Sequence, residues 1–123
     1  MEVVASYTYR AEVVSVYDGD TVRVNIDQGF GLVNKGEDGN GVTLRLFGIN
    51  APELKGSESN EGILSRNYLR DLILNKKVII KTYKDRREKY GRYLASIYLT
   101  TPEGQIEINT QMVSAGHAKF KKY

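Results

Sequence analysis

Apolar and polar residues alternate with period two in VRVNI, residues 22–26, putting Val22, Val24 and Ile26 on one face and Arg23 and Asn25 on the other. That pattern predicts a half-buried β-strand. Residues 9–17 (YRAEVVSVY) and 42–49 (VTLRLFGI) predict two more, and the Gly-, Asn- and Asp-rich stretch DQGFGLVNKGEDGNG between the second and third predicts a long mobile hairpin loop or extended ribbon. From Ser59 to about Asn75 the period changes. Leu64, Tyr68, Leu69, Leu72 and Ile73 recur at helical spacing, which predicts one amphipathic helix capped by Ser57, Ser59 or Asn60. VIIKTYK (78–84) and RYLASIYL (92–99) predict two further strands joined by the charged turn DRREKYG. The Thr-Pro-Glu-Gly turn at 101–104 leads into a short strand, QIEI, and Asn109 to Ala115 predicts a short helix ending at Gly116.

Short antiparallel strands with a helix inserted after the third give the plan of a five-stranded OB-fold, a β-barrel with helices, α+β by content. At 123 residues the chain is expected to be a single domain spanning 1–123. The 18 Lys and Arg against 15 Asp and Glu leave a net charge of +3, so any argument for nucleic acid rests on local clustering. With no cysteine, disulfides, thiolate chemistry and the usual zinc sites are excluded, and the single histidine, His117, excludes a His-rich metal site. His117, near a helix end, is expected on the surface or in a cap. No apolar run is long enough to span a membrane, and the N-terminus lacks the pattern of an export signal. A cytoplasmic protein is the expectation, or a secreted one if a signal peptide has been removed.

Four stretches carry candidate chemistry. Asp18-Gly19-Asp20-Thr21 reads as a hairpin turn, and Asp20 at the base of a strand as a carboxylate aimed at a cation. Arg45 alternates with Leu44 and Leu46, so it is expected on the opposite face, either as an exposed arginine paired to a neighbouring carboxylate or as a bidentate clamp for phosphate. Asn50-Ala51-Pro52-Glu53 ends that strand. Asn50 and the Ala51 carbonyl are hard oxygen donors of the kind that select calcium or magnesium, with Glu53 one step further out where it would hold a water. Lys84, Arg86, Arg87, Lys89 and Arg92, with Tyr90 among them, form the most basic stretch, a pattern of single-strand nucleic-acid grooves; Lys119, Lys121, Lys122 and Tyr123 add a smaller basic cluster.

Taken in order, D-G-D-T, then R-L-F-G-I-N-A-P-E, then a helix, then K-Y-G-R-Y-L-A resembles the staphylococcal nuclease (thermonuclease) family from about residue 10 to 120. The resemblance implies a five-stranded OB-type barrel and a calcium-dependent endonuclease that hydrolyses phosphodiester bonds of DNA and RNA. It implies Asp20, Asn50 and the Ala51 carbonyl as calcium ligands, and Arg45 and Arg92 as the pair gripping the scissile phosphate. It implies Glu53 as the group acting on the attacking water, and Lys89 and Tyr90 as contacts to a terminal phosphate. DNA or RNA is then the partner, and a monomer is expected. The sequence departs from the family at Asn50, where the best-known members have aspartate, in the 27–41 loop, and at its C-terminus, where aromatic residues that stack on a base have no clear match. The rival expectation is a weak or inactive OB domain that binds single-stranded nucleic acid, but Asp20, Arg45, Glu53 and Arg92 are all present, which favours catalysis.

Overall fold

The alternation in VRVNI carries through to the interior: Val22, Val24 and Ile26 are all buried, while Arg23 and Asn25 stay partly open. The computed structural model describes residues 6–56, 59–87 and 92–121. Ser57, Lys89, Tyr90, Lys122 and Tyr123, with the side chains of 83–87, lie outside the described residues.

Five strands close into a ring. β1 (Ser6–Asp18) pairs antiparallel with both β2 (Thr21–Asp27) and β6 (Lys77–Arg87). β6 pairs antiparallel with β7 (Tyr93–Thr101), β7 runs parallel to β4 (Val42–Leu46), and β4 pairs antiparallel with β2. This is the expected OB-type barrel. β1 reaches two neighbours because its register shifts between Val13 and Ser15 and again between Val16 and Asp18, and such bulges bend and twist a strand. The interior is filled by Val13, Val22, Val24, Leu44, Leu46, Ile80 and Ile97, all fully buried.

The helix expected after the third strand is α1 (Ser59–Ile73), and its C-terminal end is tied to the β1 bulge. Asn75, in the left-handed region at φ 62, donates its N–H to the Val13 carbonyl at 2.8 Å, and Val13 N–H donates to the Lys76 carbonyl at 3.0 Å. The expected Leu69 and Ile73 are buried and Tyr68 and Leu72 pack partly buried against the core, and the face α1 buries differs from expectation only in its first half. Gly62, Ser65, Leu69 and Ile73 form the buried stripe, whereas Leu64 is 60 % exposed. Small residues at 62 and 65 let the helix approach the barrel closely, and that rotates Leu64 out.

Three other expectations change in detail. The strand expected over 42–49 is broken by a turn at Phe47–Gly48, with Gly48 at φ 81, into β4 and the two-residue β5 (Ile49–Asn50). β6 runs on to Arg87, into the stretch expected to be a turn. The 27–41 segment folds as a ribbon: β3 (Val33–Asn34) pairs with β2, and Arg23 bridges to Asp38 at 3.3 Å. The Asn40 N–H and then Arg23 hold the exposed Asp38 carboxyl below its ordinary pKa.

β8 (Gly104–Glu107) pairs with β7 and leads into α2 (Ile108–Ser114), and the two-residue β9 (Lys119–Phe120) returns to pair with β5. The short helix expected over 109–115 is therefore present one residue earlier. Among the described residues no helix is long and apolar enough to cross a membrane.

Candidate active site at the β1–β2 turn

One end of the barrel gathers most of the candidate residues. The turn Asp18-Gly19 joins β1 to β2, as the hairpin reading expects, with Asp18 opposite Thr21. Glycine is there for space rather than for backbone conformation. A Cβ on it would lie 2.7 Å from the Ala51 Cβ and collide with the Ser65 hydroxyl of α1. The turn is thus pressed between the helix and the segment after β5, which brings Asp20 beside residues 50 and 51.

Asp20 is 8 % exposed and Arg45 is 7 % exposed. Arg45 therefore does not lie open on the barrel surface; its neighbours Leu44 and Leu46 are buried as well. Arg45 Nη2 donates to Asp20 Oδ2 at 3.3 Å and to Asn50 Oδ1. Its Nη1 donates to the carbonyls of Ile49 at 3.0 Å and Leu46 at 3.3 Å. Asp20 Oδ2 also accepts the Ala51 N–H at 3.0 Å, and Asp20 Oδ1 accepts the Thr21 hydroxyl at 3.2 Å. Arg92 Nη1 donates to Thr21 Oγ1 at 3.1 Å. A continuous chain of hydrogen bonds thus runs Arg92, Thr21, Asp20, Arg45, Asn50. A buried carboxylate and guanidinium are tolerated only when paired and bonded in this way.

Asp18 adds a second carboxyl. Its Oδ1 accepts the Asp20 N–H at 3.1 Å. Burial first, and then the hydrogen bond and charge of Asp20, push its pKa up to about 6. Glu53 sits on the exposed segment between β5 and α1. That segment is fixed from below, because a Cβ at Gly62 of α1 would collide with the Glu53 carbonyl.

Asp20 and Asn50 direct side-chain oxygens at one nitrogen of Arg45, which fills the point where they converge, and oxygen-only donors are the kind that suit calcium or magnesium. Among the described residues no group of three His, Asp or Glu side chains converges as a metal-holding set. With Asn50 neutral, a cation here would rely on few charged ligands.

Several contributors were not legible in the sequence. Thr21 links Arg92 to Asp20, yet within D-G-D-T it reads as an ordinary strand residue. Asn109 of α2, 3 % exposed, accepts the Ile97 N–H at 3.1 Å and donates to the carbonyls of Phe47 at 2.9 Å and Ala95 at 3.1 Å. It clamps the Phe47–Gly48 turn that carries β5. A polar residue at the start of a short helix gives no sign of such burial. His117 is half-buried, its ring 4.6 Å from that of Tyr68 and its carbonyl accepting the Ser65 hydroxyl at 2.8 Å, so it packs between the helices.

Comparison with known proteins gives a consistent picture. A family model described as staphylococcal nuclease homologue matches residues 43–123. The chain is similar to the micrococcal nuclease of Shigella flexneri, 36 % identical over 120 residues that cover 94 % of this chain and 60 % of that protein. It is 29 % identical over 119 residues to the thermonuclease of Staphylococcus hyicus, covering 94 % and 60 %. An uncharacterised protein of Methanocaldococcus jannaschii is 27 % identical over 132 residues, covering 90 % and 58 %. The chain thus spans about three-fifths of the length of these relatives.

Proposed function

Because the chain belongs to the staphylococcal nuclease homologue family, we propose that it hydrolyses phosphodiester bonds of DNA or RNA with low sequence specificity and with calcium as cofactor. The observation that carries this reading is the hydrogen-bonded chain from Arg92 through Thr21, Asp20 and Arg45 to Asn50. It gathers two guanidiniums, a carboxylate and a neutral oxygen donor at one end of a barrel.

Asp20, Asn50 and the Ala51 carbonyl would hold the calcium, whose contribution when bound is to polarise a phosphoryl oxygen and offset the charge that builds there. Arg45 and Arg92 supply guanidinium N–H donors to the equatorial oxygens as water attacks phosphorus. Those oxygens gain about one negative charge in the transition state, so the donors bind it better than the ground state. The Ile49 carbonyl holds one end of the Arg45 guanidinium through Nη1, and Nη2 would exchange Asp20 and Asn50 for the phosphate as those oxygens take the cation. Glu53 accepts the proton of the attacking water, or orients it, from a segment buttressed by α1.

The test uses denatured DNA in calcium and in chelator. Chelator-sensitive cleavage is expected. Glu53→Gln should lose cleavage by about 10²–10⁴-fold while retaining oligonucleotide binding. Binding without any cleavage by the unmodified protein would make the chain a nucleic-acid-binding barrel instead.

A further inference from the structure

The basic cluster near the C-terminus has no role in the site described above, yet the fold delivers part of it there. Ala118 is buried, and the chain then runs out as β9 along β5. Lys119 stands opposite Asn50 and Phe120 opposite Ile49, and Lys121 N–H donates to the Gly48 carbonyl at 2.7 Å. Residues directly opposite in an antiparallel pair project to the same face, with Cβ atoms about 5 Å apart. Asn50 and Lys119 are both exposed, so the face of the ribbon that they share is open. Lys119 is therefore on the same side as the amide that bonds Arg45. Two residues on, Lys121 lies against the Phe47–Gly48 turn that leads into β5.

Both lysines are exposed. Among the described residues Lys119 has no carboxylate partner. An ammonium without a counter-charge beside a site that binds a polyanion has an obvious ligand. Resting on the phosphodiesterase reading, we propose that β9 is a second phosphate-holding element. In it Lys119 and Lys121 grip the non-scissile phosphates on one side of the cleaved bond, which makes a polynucleotide strand, rather than a dinucleotide, the preferred substrate. Lysine suits this role because a flexible point charge follows a single-stranded backbone without demanding a fixed geometry. β9 is held by backbone bonds to β5 and Gly48, so the lysines extend the site without rebuilding it.

The experiment titrates a labelled single-stranded 12-mer in chelator, across a series of salt concentrations, against the unmodified chain, Lys119→Ala, Lys119→Arg and the Lys119→Ala/Lys121→Ala pair. Each lysine that neutralises a phosphate should lower the slope of log affinity against log salt by about 0.7 for a single strand. The double variant should therefore bind several-fold more weakly at low salt with a slope reduced by about 1.4, and Lys119→Arg should restore the single-site loss. In calcium, kcat/KM should fall for the 12-mer and stay unchanged for a dinucleotide. An unchanged salt slope in the folded double variant, or equal losses on both substrates, overturns the proposal. If the unmodified chain binds no oligonucleotide, the phosphodiesterase reading falls with it; if it binds and only the lysine variants are silent, that reading stands alone.

Discussion

At position 50 a neutral amide shares one guanidinium nitrogen of Arg45 with the Asp20 carboxylate. Asn50 Oδ1 accepts from Arg45 and would serve a cation equally as a neutral ligand. Because calcium affinity follows the number of charged ligands, Asn50→Asp is expected to lower the half-saturating calcium for cleavage by about tenfold, and an unmoved calcium titration would refute Asn50 as a ligand. Asp18 makes the opposite kind of statement, about stability. Its carboxyl is pushed up to about 6 by burial and by Asp20. A carboxyl with a folded pKa above its unfolded value of about 4 contributes stability below that value and loses it as pH rises through the folded pKa. In chelator, Asp18→Asn keeps the oxygen that accepts the Asp20 N–H and removes the charge, so it should raise Tm more at pH 8 than at pH 4. Equal shifts at the two pH values would show that Asp18 titrates as an ordinary carboxyl. The sequence marks Asp20, Arg45, Asn50 and Arg92 as candidates because each belongs to a short local motif, and the fold brings all four into one hydrogen-bonded chain. It does not mark Asp18 as a half-buried acid, since Asp-Gly is satisfied by a turn alone.

Elements are where spacing and packing part company. In α1 the helical period picks out 64, 68, 69, 72 and 73, of which Leu69 and Ile73 are buried and Tyr68 and Leu72 pack partly buried against the core, while Leu64 stays out. The helix buries Gly62 and Ser65 instead because these are the residues that admit the Glu53 carbonyl and the Asp18-Gly19 turn. Gly62→Ala is expected to push residues 53–54 off the helix. A misplacement of about 1 Å in a reacting group costs on the order of 100-fold in rate, so kcat should fall steeply while 12-mer binding in chelator persists. A normal kcat in a folded Gly62→Ala protein would mean that α1 does not set the Glu53 segment. The strand expected over 42–49 illustrates the same limit: its apolar run is continuous, but Gly48 in the left-handed region lets the chain turn, and Asn109 holds the turn from another element.

For the molecule as a whole, the barrel separates its two ends. The candidate site lies where β2 begins, at Thr21, and the 27–41 ribbon springs from where β2 stops, about 20 Å away for a seven-residue strand. Its turns are closed locally, as Gln28 N–H to the Leu32 carbonyl at 2.9 Å and Gly41 N–H to the Lys35 carbonyl at 2.7 Å, so the ring of five strands does not depend on them. Replacing residues 27–39 by Asn-Gly, which preserves the β2–β4 register, should leave a folded barrel with Tm altered by a few degrees and with cleavage retained. Loss of cleavage in a folded protein would assign the ribbon a part in substrate binding. The sequence by itself determined the inventory: where the main strands and the long helix lie, that five strands with a helix after the third make an OB-type barrel, and which residues are candidates for phosphate and cation chemistry. Periodicity and short motifs are local and record these directly. Only the tertiary structure decided that β4 runs parallel to β7, that Arg45 is buried with Asp20 and Asn50, that Arg92 reaches Thr21 from 71 residues away, and that Lys119 lies across from Asn50. Those contacts join distant segments, and which distant segments meet is settled by closing the ring and filling its interior, a condition on the whole chain that no stretch of it records.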